Sequence, residues 1–134
     1  MNDSVDTLAA RMKSKGGIAR VFNATRYSIQ GLVAAWRDEH AFRQELMGVV
    51  PAVILALCLP LTGTQKGLLA ACTTAILVVE LLNSAVEAAV DLVTADHHAL
   101  AKKAKDIGSA AVFLAIANAA TVWALVLWDR FGGV

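Results

Sequence analysis

Apolar positions along this 134-residue chain gather into three long runs, at 46–63, 67–93 and 107–128, and each run is long enough to be read as a membrane-crossing helix. The first is the shortest and carries Pro51 and Pro60, so it spans a bilayer only by enlisting Thr62 and Gly63 or by kinking. Thr62-Gly63-Thr64-Gln65-Lys66 reads as a tight turn, and 94–105 reads as a polar loop. Upstream, over 18–45, Val21, Ala24, Ile29, Leu32, Val33, Trp36 and Phe42 recur at helical intervals, with Arg20, Arg26, Arg37 and Arg43 between them. That alternation predicts a basic amphipathic helix lying in the membrane interface. Residues 1–17 are polar and predict a flexible N-terminus. The pattern as a whole predicts an all-α membrane protein of one domain, with an amphipathic N-terminal surface helix and three transmembrane helices.

Composition agrees. Hydrophobic residues make up 57% of the chain and charged residues 17%, against about 25% charged in a soluble domain. The charges are also segregated, with none between Glu45 and Lys66 or between Asp106 and Asp129. A net charge of +1 gives no footprint for nucleic acid. Cys58 and Cys72 lie in apolar runs without metal-ligand spacing and read as small core residues. No cleavable secretory signal is expected at the N-terminus. Arg37, Arg43, Lys102, Lys103 and Lys105 flank one side of the spans, and only Lys66 and Arg130 the other. The positive-inside rule therefore places the N-terminus and the 94–105 loop in the cytoplasm.

The second run is interrupted by polar residues in one direction only. At about 100° per residue, Asn83, Glu87 and Asp91 return to within roughly 60° of Glu80, and Ser84 falls beside them. The result is one stripe of three carboxylates, an amide and a hydroxyl on an otherwise apolar helix. A charge at bilayer depth costs at least about 3 kcal/mol, which marks such a stripe as a functional site. Glu87 and Asp91 fall near the cytoplasmic surface, with Glu80 about 10 Å deeper at 1.5 Å per residue. Carboxylates near the surface suit Mg²⁺, a hard cation that prefers oxygen and keeps some waters. Lys105, with Asp106, lies on the same side and suits phosphate. A deep carboxylate at lipid head-group level suits proton abstraction from a lipid hydroxyl. No Walker-type loop, G-x-G-x-x-G or soluble-kinase catalytic loop is present.

These residues carry a resemblance. Glu80-Leu81-Leu82-Asn83-Ser84-Ala85-Val86-Glu87-Ala88-Ala89-Val90-Asp91 is similar to the signature E-x-x-N-[ST]-A-[IV]-E-x-x-V-D of the prokaryotic integral-membrane diacylglycerol kinase family. Ala34-Ala35-Trp36-Arg37-Asp38-Glu39 with Ala41-Phe42-Arg43-Gln44-Glu45 resembles that family's interfacial-helix motif, and Ala104 to Val112 its third block. The resemblance runs from about residue 20 to 131 with three motifs in order. It implies a homotrimeric, multi-pass enzyme of the bacterial inner membrane that uses Mg²⁺ and ATP to phosphorylate a lipid alcohol, with active sites shared between subunits. Carried over by position, Glu80 is the general base, Asn83 orients the base and substrate, and Glu39 and Glu87 bind the metal. Lys105 and Asp106 contact the nucleotide, Arg20 and Tyr27 line the nucleotide or substrate site, and Ser109 and Glu45 belong to the lipid site.

Two lipids stay open at this point. Leu92-Val93-Thr94 is more similar to the undecaprenol kinase branch, and Gly108-Ser109-Ala110-Ala111 to the diacylglycerol branch. A different class, an oligomeric proton or ion carrier built on Glu80, explains one deep acid. It leaves the stripe's extension to the surface, Lys105-Asp106 and Glu39 unexplained. Plainer readings apply to single residues: Glu39 with Arg43 as a helical i,i+4 pair, Ser109 as a packing residue, Asn118 as an interhelical hydrogen-bonding group and Trp123 and Trp128 as members of an interfacial aromatic belt.

Overall fold

The computed structural model describes residues 17–93 and 98–132, and they are all helical apart from short connections. Four helices follow one another: α1 (Gly17–Asp38), α2 (His40–Cys58), α3 (Gly63–Val93) and α4 (Ala99–Leu127), with a final π-helical turn at Trp128–Gly132. The flexible N-terminus expected at 1–17 lies, but for its last residue, outside the described residues, as does the loop segment 94–97. By length and composition α2, α3 and the stretch Ala99–Gly132 are each able to cross a bilayer. The described residues fall into two compact units that divide between Arg37 and Asp38.

In the first unit, α1 is the most strongly amphipathic helix of the four and runs unbroken through Gly31. Val21, Phe22, Tyr27, Ile29, Leu32, Val33 and Trp36 are exposed along it. Thr25 and Ser28 return their hydroxyls to the carbonyls of Val21 and Ala24 one turn back, so neither seeks a partner elsewhere.

In the second unit, α3 packs against both α2 and α4. Ala56 of α2, Leu69 of α3 and Val126 of α4 form the buried centre, with Leu61, Val122 and Trp123 around it. Most large apolar side chains, among them Ile54, Val78, Leu82, Phe113, Leu114 and Leu125, are exposed. Apolar groups facing outward from long apolar helices suit lipid or another membrane-embedded surface as neighbour.

Helix ends depart from the hydropathy boundaries at four places, each for a local reason. The helix expected over 18–45 is broken at Glu39, whose φ −105° and ψ 113° are extended, so α2 already starts at His40 and passes through Glu45 without interruption. It stops at Cys58 because Leu59 precedes Pro60, which forces Leu59 into an extended conformation (φ −63°, ψ 149°). Helix α3 begins at Gly63, inside the expected turn, because Thr62 and Gln65 form a capping box. Gln65 N donates to Thr62 Oγ1 at 3.3 Å and Thr62 N donates to Gln65 Oε1 at 3.0 Å. Helix α4 begins at Ala99, well before residue 107, with His98 Nδ1 accepting from Leu100 N at 3.2 Å as its cap. With 31 and 29 residues, α3 and α4 extend about 46 and 44 Å, beyond the roughly 30 Å hydrocarbon layer. Their polar ends are therefore helical, and both helices are longer than that layer.

At the far end of the unit, the π-helical turn is tied to the α2–α3 connection. Gln65 Nε2 donates to Asp129 Oδ2 at 3.1 Å, Arg130 Nε to the Pro60 carbonyl at 2.8 Å, and Lys66 Nζ to the Leu57 carbonyl at 2.7 Å.

Candidate active site

Because α3 keeps a regular helix from Gly63 to Val93, its polar residues stay on one stripe and sink progressively into the unit. Glu80 is buried, with 3% of its surface exposed. Asn83, Ser84 and Glu87 are half-buried and Asp91 is exposed. The stripe is joined internally, since Asn83 Nδ2 donates to Glu87 Oε1 at 3.2 Å.

Helix α2 brings two more carboxylates towards it. Glu39 and Glu87 act electrostatically on Glu80, as Glu80 does on Glu45. Glu39 occupies the N-cap position of α2, yet its side chain makes no capping hydrogen bond. Two buried oxygens in this region, Glu45 Oε2 and Asn83 Oδ1, have no hydrogen-bond partner among the described residues. Buried polar atoms are nearly always paired, so two orphans beside a carboxylate cluster set this region apart from the apolar centre of the unit.

Helix α4 supplies the cation. Lys105 Nζ is 2.6 Å from Asp91 Oδ1, with Glu87 also within its electrostatic reach. Asp106, one residue on, points elsewhere: its Oδ2 is 2.6 Å from Lys102 Nζ, one turn back. Neighbours on a helix diverge by about 100°, so the Lys105-Asp106 pair separates into one residue on the stripe and one on its own helix. Ser109 is exposed. Gly108 faces α3, where a Cβ would overlap Asn83 Oδ1. Arg20 and Tyr27 are exposed on α1, in the separate first unit.

Below Glu80, α2, α3 and α4 border a cleft of about 310 Å³ whose lining includes Glu45, Thr73, Ile76, Ile116, Ala119 and Trp123. Trp123 is half-buried, and its Nε1 donates to Thr73 Oγ1 at 2.9 Å. Thr73 in turn donates to the Leu69 carbonyl at 2.6 Å. Trp128, by contrast, is 74% exposed.

The donor set is suited to part of a magnesium shell. Among the described residues no three His, Cys, Asp or Glu side chains form a complete cage. Glu39 and Glu87 are hard carboxylate donors of the kind that would suit Mg²⁺ beside phosphates and water.

A sequence model of the prokaryotic diacylglycerol kinase family matches residues 26–127. The chain is 44% identical over 116 residues to the diacylglycerol kinase of Escherichia coli strain K12, covering 87% of this chain and 95% of that protein. It is 44% identical over 115 residues to the diacylglycerol kinase of Pseudomonas aeruginosa, with 86% and 94% covered. To the diacylglycerol kinase of Haemophilus influenzae it is 38% identical over 112 residues, with 84% and 95% covered.

Proposed function

The chain belongs to the prokaryotic diacylglycerol kinase family, and we propose that it transfers the γ-phosphate of ATP to the free hydroxyl of diacylglycerol, giving phosphatidic acid and ADP. The observation that carries this reading is the depth order of the polar groups. A buried carboxylate, Glu80, lies beneath the Asn83–Glu87 pair, and Lys105 lies at the exposed end of the same stripe. A lipid hydroxyl arrives from the bilayer and phosphates arrive from water, so the two reactants meet along this stripe.

In the proposed reaction, the lipid oxygen bonds to the γ-phosphorus as the bond to the bridging β–γ oxygen breaks, and the hydroxyl proton passes to Glu80. Asn83 holds Glu87 by its amide and keeps the stripe in register. Lys105 exchanges Asp91 for phosphate oxygens, as an exposed ammonium is free to do. Glu39 and Glu87 hold Mg²⁺, which when bound neutralises phosphate charge. The apolar cleft beside Glu45 takes the upper part of an acyl chain. Ser109, Arg20, Tyr27 and, once released from Lys102, Asp106 complete the proposed nucleotide and lipid contacts within a homotrimer. Glu80 and its neighbours then lie at a subunit interface, and the exposed apolar faces of α2, α3 and α4 are shared between partner copies and lipid. Helix α1 lies in the cytoplasmic interface of the bacterial inner membrane, consistent with its amphipathic pattern and with the arginines along it.

The test is transfer of phosphate from Mg·ATP to diacylglycerol, and in parallel to undecaprenol, in mixed detergent micelles with Glu80→Gln as control. Phosphatidic acid as the main product, with a loss of about 10²–10⁴-fold in the variant, agrees with the reading. Polyprenyl phosphate as the main product would move the protein to the branch that Leu92-Val93-Thr94 resembles. No transfer to either lipid by a folded protein would restore the carrier alternative.

A further inference from the structure

Among the glycines of the helices, Gly31, Gly48, Gly63 and Gly67 have open space where a Cβ would be. Gly108 is different. A Cβ there would overlap Asn83 Oδ1, lie 3.3 Å from Asn83 Cγ and stand 3.9 Å from Asn83 Cα. At this point α4 presents bare backbone to Asn83 of α3, a member of the polar stripe.

Asn83 has little freedom to yield. Its Nδ2 donates to Glu87 Oε1, its Oδ1 is buried against α4, and few rotamers are open to a short side chain on a helix. Lys105 lies three residues before Gly108, on the same helix, with its ammonium on Asp91 of α3. The Gly108–Asn83 contact therefore sets the distance between the carboxylate-bearing helix and the helix that carries the phosphate-binding cation.

We propose that Gly108 is a positioning residue: the absence of a side chain there is the space in which Asn83 lies, and through Asn83 it fixes Glu87 and Glu80 relative to Lys105. This rests on the reading of Asn83 as part of the kinase site. Gly108 touches no reactant in this scheme and acts only through its neighbour.

A double-mutant cycle of Gly108→Ala and Asn83→Ala tests it, read as kcat for phosphate transfer per folded molecule and as melting temperature in detergent. Displacing a catalytic group by about 1 Å costs on the order of 100-fold in rate. Gly108→Ala alone should therefore lower kcat by about 10- to 100-fold, and it should lower kcat and melting temperature little or not at all when Asn83 is already alanine. Full activity of Gly108→Ala would overturn the proposal, as would equal losses in both backgrounds. If the single variant does not fold, recovery of folding in the double variant supports the proposal and failure to recover refutes it. If Asn83→Ala is too slow to measure, the cycle in melting temperature decides by the same criterion. Absence of any transfer by the unmodified protein refutes the kinase reading, and the melting-temperature cycle still reports whether Gly108 seats Asn83.

Discussion

Lys105 of α4 and Asp91 of α3 hold the two helices together at the exposed end of the stripe, Nζ to Oδ1 at 2.6 Å. Both side chains are substantially exposed, 38% and 63%, and ion pairs so exposed add little to stability. Lys105→Ala should therefore leave the melting temperature nearly unchanged while lowering kcat/KM for ATP by about 10²-fold or more, the scale of a lost phosphate-stabilising group. A collapse of the fold in this variant, seen as aggregation or loss of helical circular dichroism, would show the pair to be structural.

Glu87→Gln keeps the size of the side chain and removes a hard anionic ligand. The Mg²⁺ concentration for half-maximal transfer should rise by about tenfold or more, the scale of one lost metal-orienting group. Asparagine 83 retains an amide acceptor in this variant, so the helix should be undisturbed. An unchanged Mg²⁺ titration would remove Glu87 from the metal set.

Glu39 stands at an N-cap without capping its helix. Serine caps well, and a good cap is worth about 0.5–2 kcal/mol. Glu39→Ser should raise the thermal stability of the protein and at the same time depress its activity severely. A variant that is both stabilised and fully active would show that the carboxylate has no part in the site.

Thr73→Val deletes the acceptor of Trp123 Nε1. Hydrogen bonds between membrane helices average about 0.6 kcal/mol, so the melting temperature should fall modestly. Activity per folded molecule should persist, since neither residue is placed in the chemistry. A large loss of kcat with normal stability would show that the Thr73–Trp123 hydrogen bond itself serves the reaction and not only the packing of α3 on α4.

The chemistry was easier to read in the sequence than the contacts. Glu80, Asn83, Glu87 and Asp91 announce themselves because polar residues stand out against an apolar run and helical periodicity then assigns them one face. Hydropathy marks where a membrane ends and not where a helix ends. Ala99 to Asp106 is polar but rich in helix-forming alanine and lysine, so α4 starts there. The start at Gly63 was legible as Thr-x-x-Gln, a capping pattern within the supposed turn. So was the pairing of Asp106 with Lys102, four residues apart, over any joint role with adjacent Lys105. The break at Glu39 has no proline or glycine beside it, and the seat of Asn83 on Gly108 depends on how closely two helices approach. Those two features arise from tertiary geometry, and no local pattern carries them.

The hydrogen bonds that join the π-helical turn to the α2–α3 connection also decide how the unit deforms. At that end Gln65 grips Asp129 and Arg130 grips the Pro60 carbonyl, while Lys66 ties α3 back to the Leu57 carbonyl of α2. At the other end, one exposed ion pair holds α3 to α4. Local separation costs least where the fewest interactions break, so on the proposed kinase reading α3 and α4 are expected to part first at the stripe, where phosphates would enter.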